Sequence, residues 1–365
     1  MAYTTQNLTV LYSGVPHSSI PPDNSVTLGT CLFPRISAIL GFLRYPAKTI
    51  FIGPLFHQFI MSSTTNPLEA RRAAIDNARS VVVKVGTRVV TDAEGKLDHR
   101  RIELLSAQLA RIADTGRQTL MVSSGAVGAG MGKLRLDQRP SGLAQLQAVA
   151  AVGQTDLIQA YENAMSKSGR HVAQVLLTAA DLRRRSAYLH VRNALNQIHA
   201  FGAIGIVNEN DSVAVSELMT TFGDNDRLAA QVAGLLNDAM LIILSDVDGL
   251  YDGSPENPDS SRISIVETID DQILGYAQDH NSAHSKGGMA SKLEAAKVAT
   301  AHGQATIIAP GRDDDVLDKI FSEVDIGTIF LPNNKMLMIL TRKHCFDISR
   351  QRVRFDVFCP KIRCS

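Results

Sequence analysis

Tryptophan is absent from the 365 residues, and cysteine is nearly so: Cys31 lies near one end, and Cys345, Cys359 and Cys364 near the other. The long middle of the chain therefore has neither a disulfide framework nor a cysteine-rich zinc site, and an intracellular, cytoplasmic protein is expected. A dominant charge is missing too. The formal net charge is +1, so no overall field draws the chain to nucleic acid or to a membrane surface. Nor is there a long apolar run. The stretch from Ile36 to Ile60 is apolar in patches, but Arg44, Pro46, Lys48 and Pro54 interrupt it well short of the roughly 20 residues that span a bilayer. It also lacks the basic start, single apolar run and small-residue cleavage site of a signal peptide. What remains is a composition 45% hydrophobic and 20% charged, which can bury a sizeable core.

Three zones follow one another. Residues 1–71 read as an N-terminal extension. To about Ile60 it is poor in charge and rich in proline (Pro16, Pro21, Pro22, Pro34, Pro46, Pro54), with no helical or strand period to recover its ordering entropy. Met61 opens an ordinary-looking domain start and is a candidate initiator. The last zone, 335–365, is a short basic tail, expected to be solvated. Between them, residues 72–334 alternate apolar runs with amphipathic segments. Candidate strands are 80–86, 119–124, 171–177, 203–209, 239–246 and 305–311, nearly continuous in apolar character, as strands buried on both faces are. Helical spacing links Ile102, Leu105, Leu109 and Ile112, with Gly116 as a stop. A second helix is expected from a Ser141 cap to about Ser168, and a third from Leu182 to Ala200. Leu228, Val232 and Leu235 line a fourth, and Leu293, Ala296 and Ala299 a fifth. This alternation predicts an α/β fold, a three-layer αβα sandwich with a mostly parallel central sheet.

Ligands of such sheets bind beyond the carboxyl ends of the strands, so the polar residues there matter most. Lys84 sits inside an apolar strand just before Gly86. It can snorkel its amine to the edge, or aim a charge at a phosphate. Strand two runs into Ser124 and a glycine-rich stretch, GAVGAGMGK. That stretch suits an anion cradle or a tight packing turn equally, and it is neither a P-loop nor a Rossmann fingerprint. Asn208-Glu209-Asn210-Asp211 and Gly223-Asp224-Asn225-Asp226 hold more acids and asparagines than helix capping needs, so lysines or a cationic ligand such as an amino-acid ammonium should face them. Asp248-Gly249 reads as a turn after strand five. Lys286 to Lys292, KGGMASK, opens the final long helix as a credible polyphosphate site. His280 and His284 stand four apart in a loop without H-E-x-x-H, and zinc binding is not expected of them.

Taken in order, VVVKVGT, VSSGAVGAG, AAVGQ, QVLLT, VNENDSVA, FGDND, LSDVDGLY and KGGMASK resemble the glutamate 5-kinases of the amino-acid kinase superfamily. The resemblance covers about Ala73 to Pro332. It implies a glutamate-binding half (72–237) and an ATP-binding half (238–334). Ser124, Asp211 and Asn225 would contact glutamate. Ser245, Asp246 and the segment Lys286, Gly287, Gly288, Met289, Ala290, Ser291 and Lys292 would line the nucleotide site. Lys84 would touch the transferring phosphoryl group, and Asp226 would hold Lys84 and Lys292 in position. It further implies ATP with Mg2+, glutamyl 5-phosphate as product, feedback inhibition by proline, a homo-oligomer, and glutamyl-phosphate reductase as a partner. Three departures stand out. Lys286 replaces a usual Thr, the chain has no room for a C-terminal PUA domain, and its ending after about Leu337 is unfamiliar. Another carboxylate or carbamate kinase of the superfamily, or a non-catalytic proline or nucleotide sensor, is the competing reading.

Overall fold

The computed structural model describes residues 67–213, 224–277, 288–322 and 324–333. The proline-rich extension to residue 66, the basic tail, His280, His284, Lys286 and Gly287 lie outside them. Among the described residues, one eight-stranded sheet has the order β3-β4-β2-β1-β5-β7-β8-β6. Six of its strands are those anticipated, each within a residue or so: β1 (Ser80–Val85), β2 (Gln118–Ser123), β3 (Val172–Leu177), β4 (Ile204–Glu209), β5 (Ala239–Ser245) and β7 (Ala305–Pro310). All their pairings are parallel. The two remaining strands, β6 (Ile265–Val266) and β8 (Thr328–Phe330), escaped sequence reading. They hold two and three residues, too few to show a period. β8 runs antiparallel to β7.

Each face of the sheet carries its own core. Val81, Val83 and Val85 of β1 point one way, into α1 (Pro67–Asp76), α3 (His99–Asp114), α5 (Leu143–Ser166) and α11 (Val316–Phe321). Val82 points the other way, toward α7 (Arg185–Ala200), α8 (Asp224–Ala233) and α10 (Met289–Ala301). Strand alternation thus puts Lys84 on the face of α8 and α10. This is the αβα sandwich expected.

Local chemistry sets the helix ends. Asp98 accepts the Arg101 N–H to start α3, and Gly116, at φ +84°, lies just past its end. Thr178 and Asp181 form a capping box on α6 (Ala179–Arg183). Here the single helix expected from Leu182 to Ala200 is two, because Arg184 takes an extended conformation between α6 and α7. The cap of α5 is Gly142 rather than Ser141. Helix α1 takes in residues 67–71, on the far side of the boundary drawn at residue 72, and buries Arg71, whose guanidinium meets Asp325 at 3.4 Å. No described helix is long and apolar enough to cross a membrane.

Two glycines of the run serve packing. Gly128 and Gly130 lie inside α4 (Ala126–Leu134), and a Cβ on Gly130 would stand 1.9 Å from the Val149 carbonyl of α5. Gly130→Ala is therefore expected to force α4 and α5 apart, at about 1–3 kcal/mol, read as a lowered Tm in thermal unfolding. An unchanged Tm would disprove this tight contact.

Candidate active site

Four strands end together at the carboxyl edge of the sheet. Lys84 pairs in register with Val122 and with Ile243, and Val122 with Val207. The segments that follow these strands, with the first turns of α8 and α10, supply the polar groups.

The centre is ionic and buried. Lys84 Nζ lies 2.6 Å from Asp226 Oδ1, with residue exposures of 8% and 1%. Ser291 Oγ donates to the second oxygen of Asp226 at 3.0 Å. Lys292, one residue further along α10, is buried as well, and its Nζ reaches the Gly288 carbonyl at 3.5 Å. Burial lowers the pKa of Lys292. Asp226 opposes that shift, and the like charge of Lys84 adds to it. Both amines therefore stand in the field of one acid. Asp226 holds Lys84 directly and meets α10 through Ser291.

Beside this centre lies a neutral polar cluster. Asn225, the neighbour of Asp226, donates from Nδ2 to Ser124 Oγ at 2.8 Å and to Asn208 Oδ1 at 3.3 Å. Ser124 precedes Gly125, the residue before α4, whose φ of +113° is open to glycine and strained for other residues. Asp211 follows β4 on a turn, partly buried. Burial pushes its pKa up to about 6, against a weaker pull from Arg139. Gln147 of α5 donates to the Ser212 carbonyl at 3.4 Å, which ties this turn to the helix layer.

On the other side, Ser245 Oγ donates to Asp246 Oδ1 at 2.9 Å, and Arg88 meets Asp246 Oδ2 at 2.6 Å. Burial works against the Asp246 charge, but the Arg88 and Ser245 hydrogen bonds outweigh it and hold the carboxyl below its ordinary range. Gly288, Met289 and Ala290 form the start of α10, with Ala290 exposed. Sequence reading assigned Arg88 no role. The sequence offered only a cation just past the Lys84 strand, and the fold sets it against Asp246.

A sequence model of the amino acid kinase family matches residues 79–309, more than half of the chain and all of the residues just described. The chain belongs to the amino acid kinase family. Among its curated relatives, glutamate 5-kinase of Rhodopirellula baltica is 61% identical over 276 residues, covering 76% of this chain and 71% of the relative. Glutamate 5-kinase of Geobacter metallireducens is 42% identical, covering 75% and 73%. That of Clostridium acetobutylicum is 39% identical and is matched over 100% of its own length. The chain stands in the glutamate 5-kinase branch of the family. Among solved structures, a carbamate kinase from Giardia lamblia bound to AMP-PNP has a TM-score of 0.50 at 18% identity, covering 70% of this chain and 99% of that one. At that identity the likeness speaks for the amino acid kinase fold and no further.

Proposed function

We propose that this amino acid kinase transfers the terminal phosphoryl group of ATP to the side-chain carboxylate of L-glutamate. The products are ADP and L-glutamyl 5-phosphate. The observation that carries the reading is the first turn of α8. Asn225 reaches the Ser124 cluster at 2.8 Å while the adjacent Asp226 pairs with Lys84 at 2.6 Å. One turn thus joins an acceptor site to a phosphoryl site, and the curated relatives name the acceptor as glutamate.

The chemistry asks for alignment and charge neutralisation more than for covalent help. A glutamate carboxylate is already ionised at neutral pH, so no general base is required. Its oxygen forms the new bond to phosphorus while the bridging oxygen leaves with ADP and keeps the electron pair. Lys84 offsets charge on the transferring group. Lys292, at the N-terminal end of a 13-residue helix, offsets charge on the departing phosphates. Ser124 and Asn225 hold the acceptor, Asp211 faces its ammonium, and Ser245, Asp246 and the start of α10 line the nucleotide. Among the described residues no three His, Cys, Asp or Glu side chains cluster. In this reading a Mg2+ would come with ATP. Its contribution is to neutralise phosphate charge.

The wider reading is a cytoplasmic enzyme at the first step of proline biosynthesis. Proline as feedback inhibitor, a homo-oligomer, and a glutamyl-phosphate reductase that takes up the labile product accompany it. The resemblance to glutamate 5-kinases supports these. Its test is an acceptor panel with hydroxylamine trapping of the acyl phosphate. Hydroxamate is expected with glutamate, and a chain active on aspartate, acetylglutamate or carbamate instead would overturn the assignment.

Asp211 adds a pH signature. Below about 6 its carboxyl is increasingly neutral and pairs poorly with an ammonium. The glutamate KM should rise as pH falls through that value, while Asp211→Ala should raise KM at neutral pH by about 10–100-fold, the worth of one hydrogen bond to a charged group. In that variant the KM should no longer respond to pH near 6. A wild-type KM in Asp211→Ala removes this residue from the glutamate site.

A further inference from the structure

The motif AAVGQ ends in Gln154, to which the reading above gives no task. Gln154 lies in α5 directly after Gly153, where α4 and α5 are in close contact: a Cβ on Gly153 would stand 1.9 Å from the Ala126 carbonyl. This places the Gln154 amide between the start of α4 and the carboxyl end of β4, against Asn208.

One backbone group orients the whole cluster. The Glu209 N–H donates to Asn208 Oδ1 at 2.9 Å, so that oxygen is the acceptor and Asn208 Nδ2 faces away from it. Asn208 Nδ2 then donates to Gln154 Oε1 at 2.9 Å, which leaves Gln154 Nε2 on the outer side of its amide. Asn225 Nδ2 donates to Asn208 Oδ1 and to Ser124 Oγ, leaving Asn225 Oδ1 over. Gln154 Nε2 and Asn225 Oδ1 are both buried and have no hydrogen-bond partner. Buried polar atoms without partners are uncommon, because each forfeits its hydration. Here two such atoms, one donor and one acceptor, belong to amides joined through Asn208 and bordered by Ser124.

A zwitterionic amino acid offers the complement, a carboxylate to accept and an ammonium to donate. We infer that Gln154 is an acceptor-specificity residue, whose Nε2–H donates to a carboxylate oxygen of the bound amino acid while Asn208 positions its amide. The inference rests on the glutamate-kinase reading and refines its acceptor site. It also explains why an amide is preferable there to an acid, which would repel the carboxylate, or to a methionine, which would leave it unpaired.

Gln154→Met and Gln154→Glu test it, with trapped hydroxamate measured across glutamate concentrations at saturating ATP. Methionine keeps the length and packing but removes the donor. Its glutamate KM is expected to rise about 10–100-fold, as loss of one hydrogen bond to a charged group implies, with kcat and the ATP KM unchanged. Gln154→Glu should raise the KM further, through like-charge repulsion. A methionine variant with the wild-type glutamate KM overturns the inference and leaves the kinase reading intact, as does a rise matched by the ATP KM. Wild-type protein that makes no hydroxamate from glutamate overturns both. Should the variants not fold, the side-chain amide resonance of Gln154 in the wild-type protein is expected to shift on adding glutamate. A silent resonance disproves the contact.

Discussion

Lys84→Ala is expected to cut turnover by about 10²–10³, the usual loss when a preorganised stabiliser of developing charge is removed. The glutamate KM should change little, since the acceptor contacts come from Ser124, Asn225 and Asp211. The same substitution strips the partner from an acid that is 1% exposed. Breaking a buried pair commonly costs about 3–5 kcal/mol, and Ser291, which donates to the other oxygen of Asp226, offsets part of that. Turnover and Tm must therefore be measured together, and Lys84→Met, which keeps the methylene stem, separates lost charge from lost packing. Near-normal turnover in both folded variants would refute the assignment of Lys84.

The second large effect concerns Asp226. In Asp226→Asn two buried amines lose the acid they share, and turnover near pH 8 should again fall by about 10²–10³. The shape of the loss is diagnostic. Burial already lowers the Lys292 pKa, Lys84 lowers it further, and Asp226 and Asp246 hold it up. Without Asp226 the pKa falls again, and Lys292 loses its proton at a lower pH than in the parent. A protonated amine is what phosphate charge requires. The alkaline limb of kcat should thus move toward lower pH, and the deficit should narrow as the pH is reduced. A profile merely scaled down, with its alkaline limb in place, would show that Asp226 does not set the charge of Lys292.

Part of this candidate site was legible in the sequence. The strand ends at Lys84 and Ser124 each had a structural reading as good as a functional one, and only the ordered resemblance of the blocks around them singled them out. KGGMASK drew a functional expectation because two glycines and two lysines at an expected helix start suit phosphate; of these, Lys286 and Gly287 lie outside the described residues. Other features were hidden. β6 and β8 are too short for periodicity, and their pairing exists only because residues 264 and 266 meet 329 and 331 across the chain. Arg88 looked like an ordinary helix residue until the fold set it against Asp246. Gly128 and Gly130 gave the same signal whether they cradled an anion or admitted a neighbouring helix, and only the approach of Val149 to Gly130 decided for packing.

The division has a physical basis. Hydrophobic periodicity and strand-end polarity are properties of consecutive residues, so the six long parallel strands, the layered architecture and the edge where ligand is expected were determined by the sequence alone. Which oxygen of Asp226 takes Lys84 and which takes Ser291, how far burial moves Lys292 and Asp211, and which amide atoms stay unpaired depend on groups remote in the chain. Distances and desolvation between such groups exist only once the sheet has closed, and so the tertiary structure alone decided them.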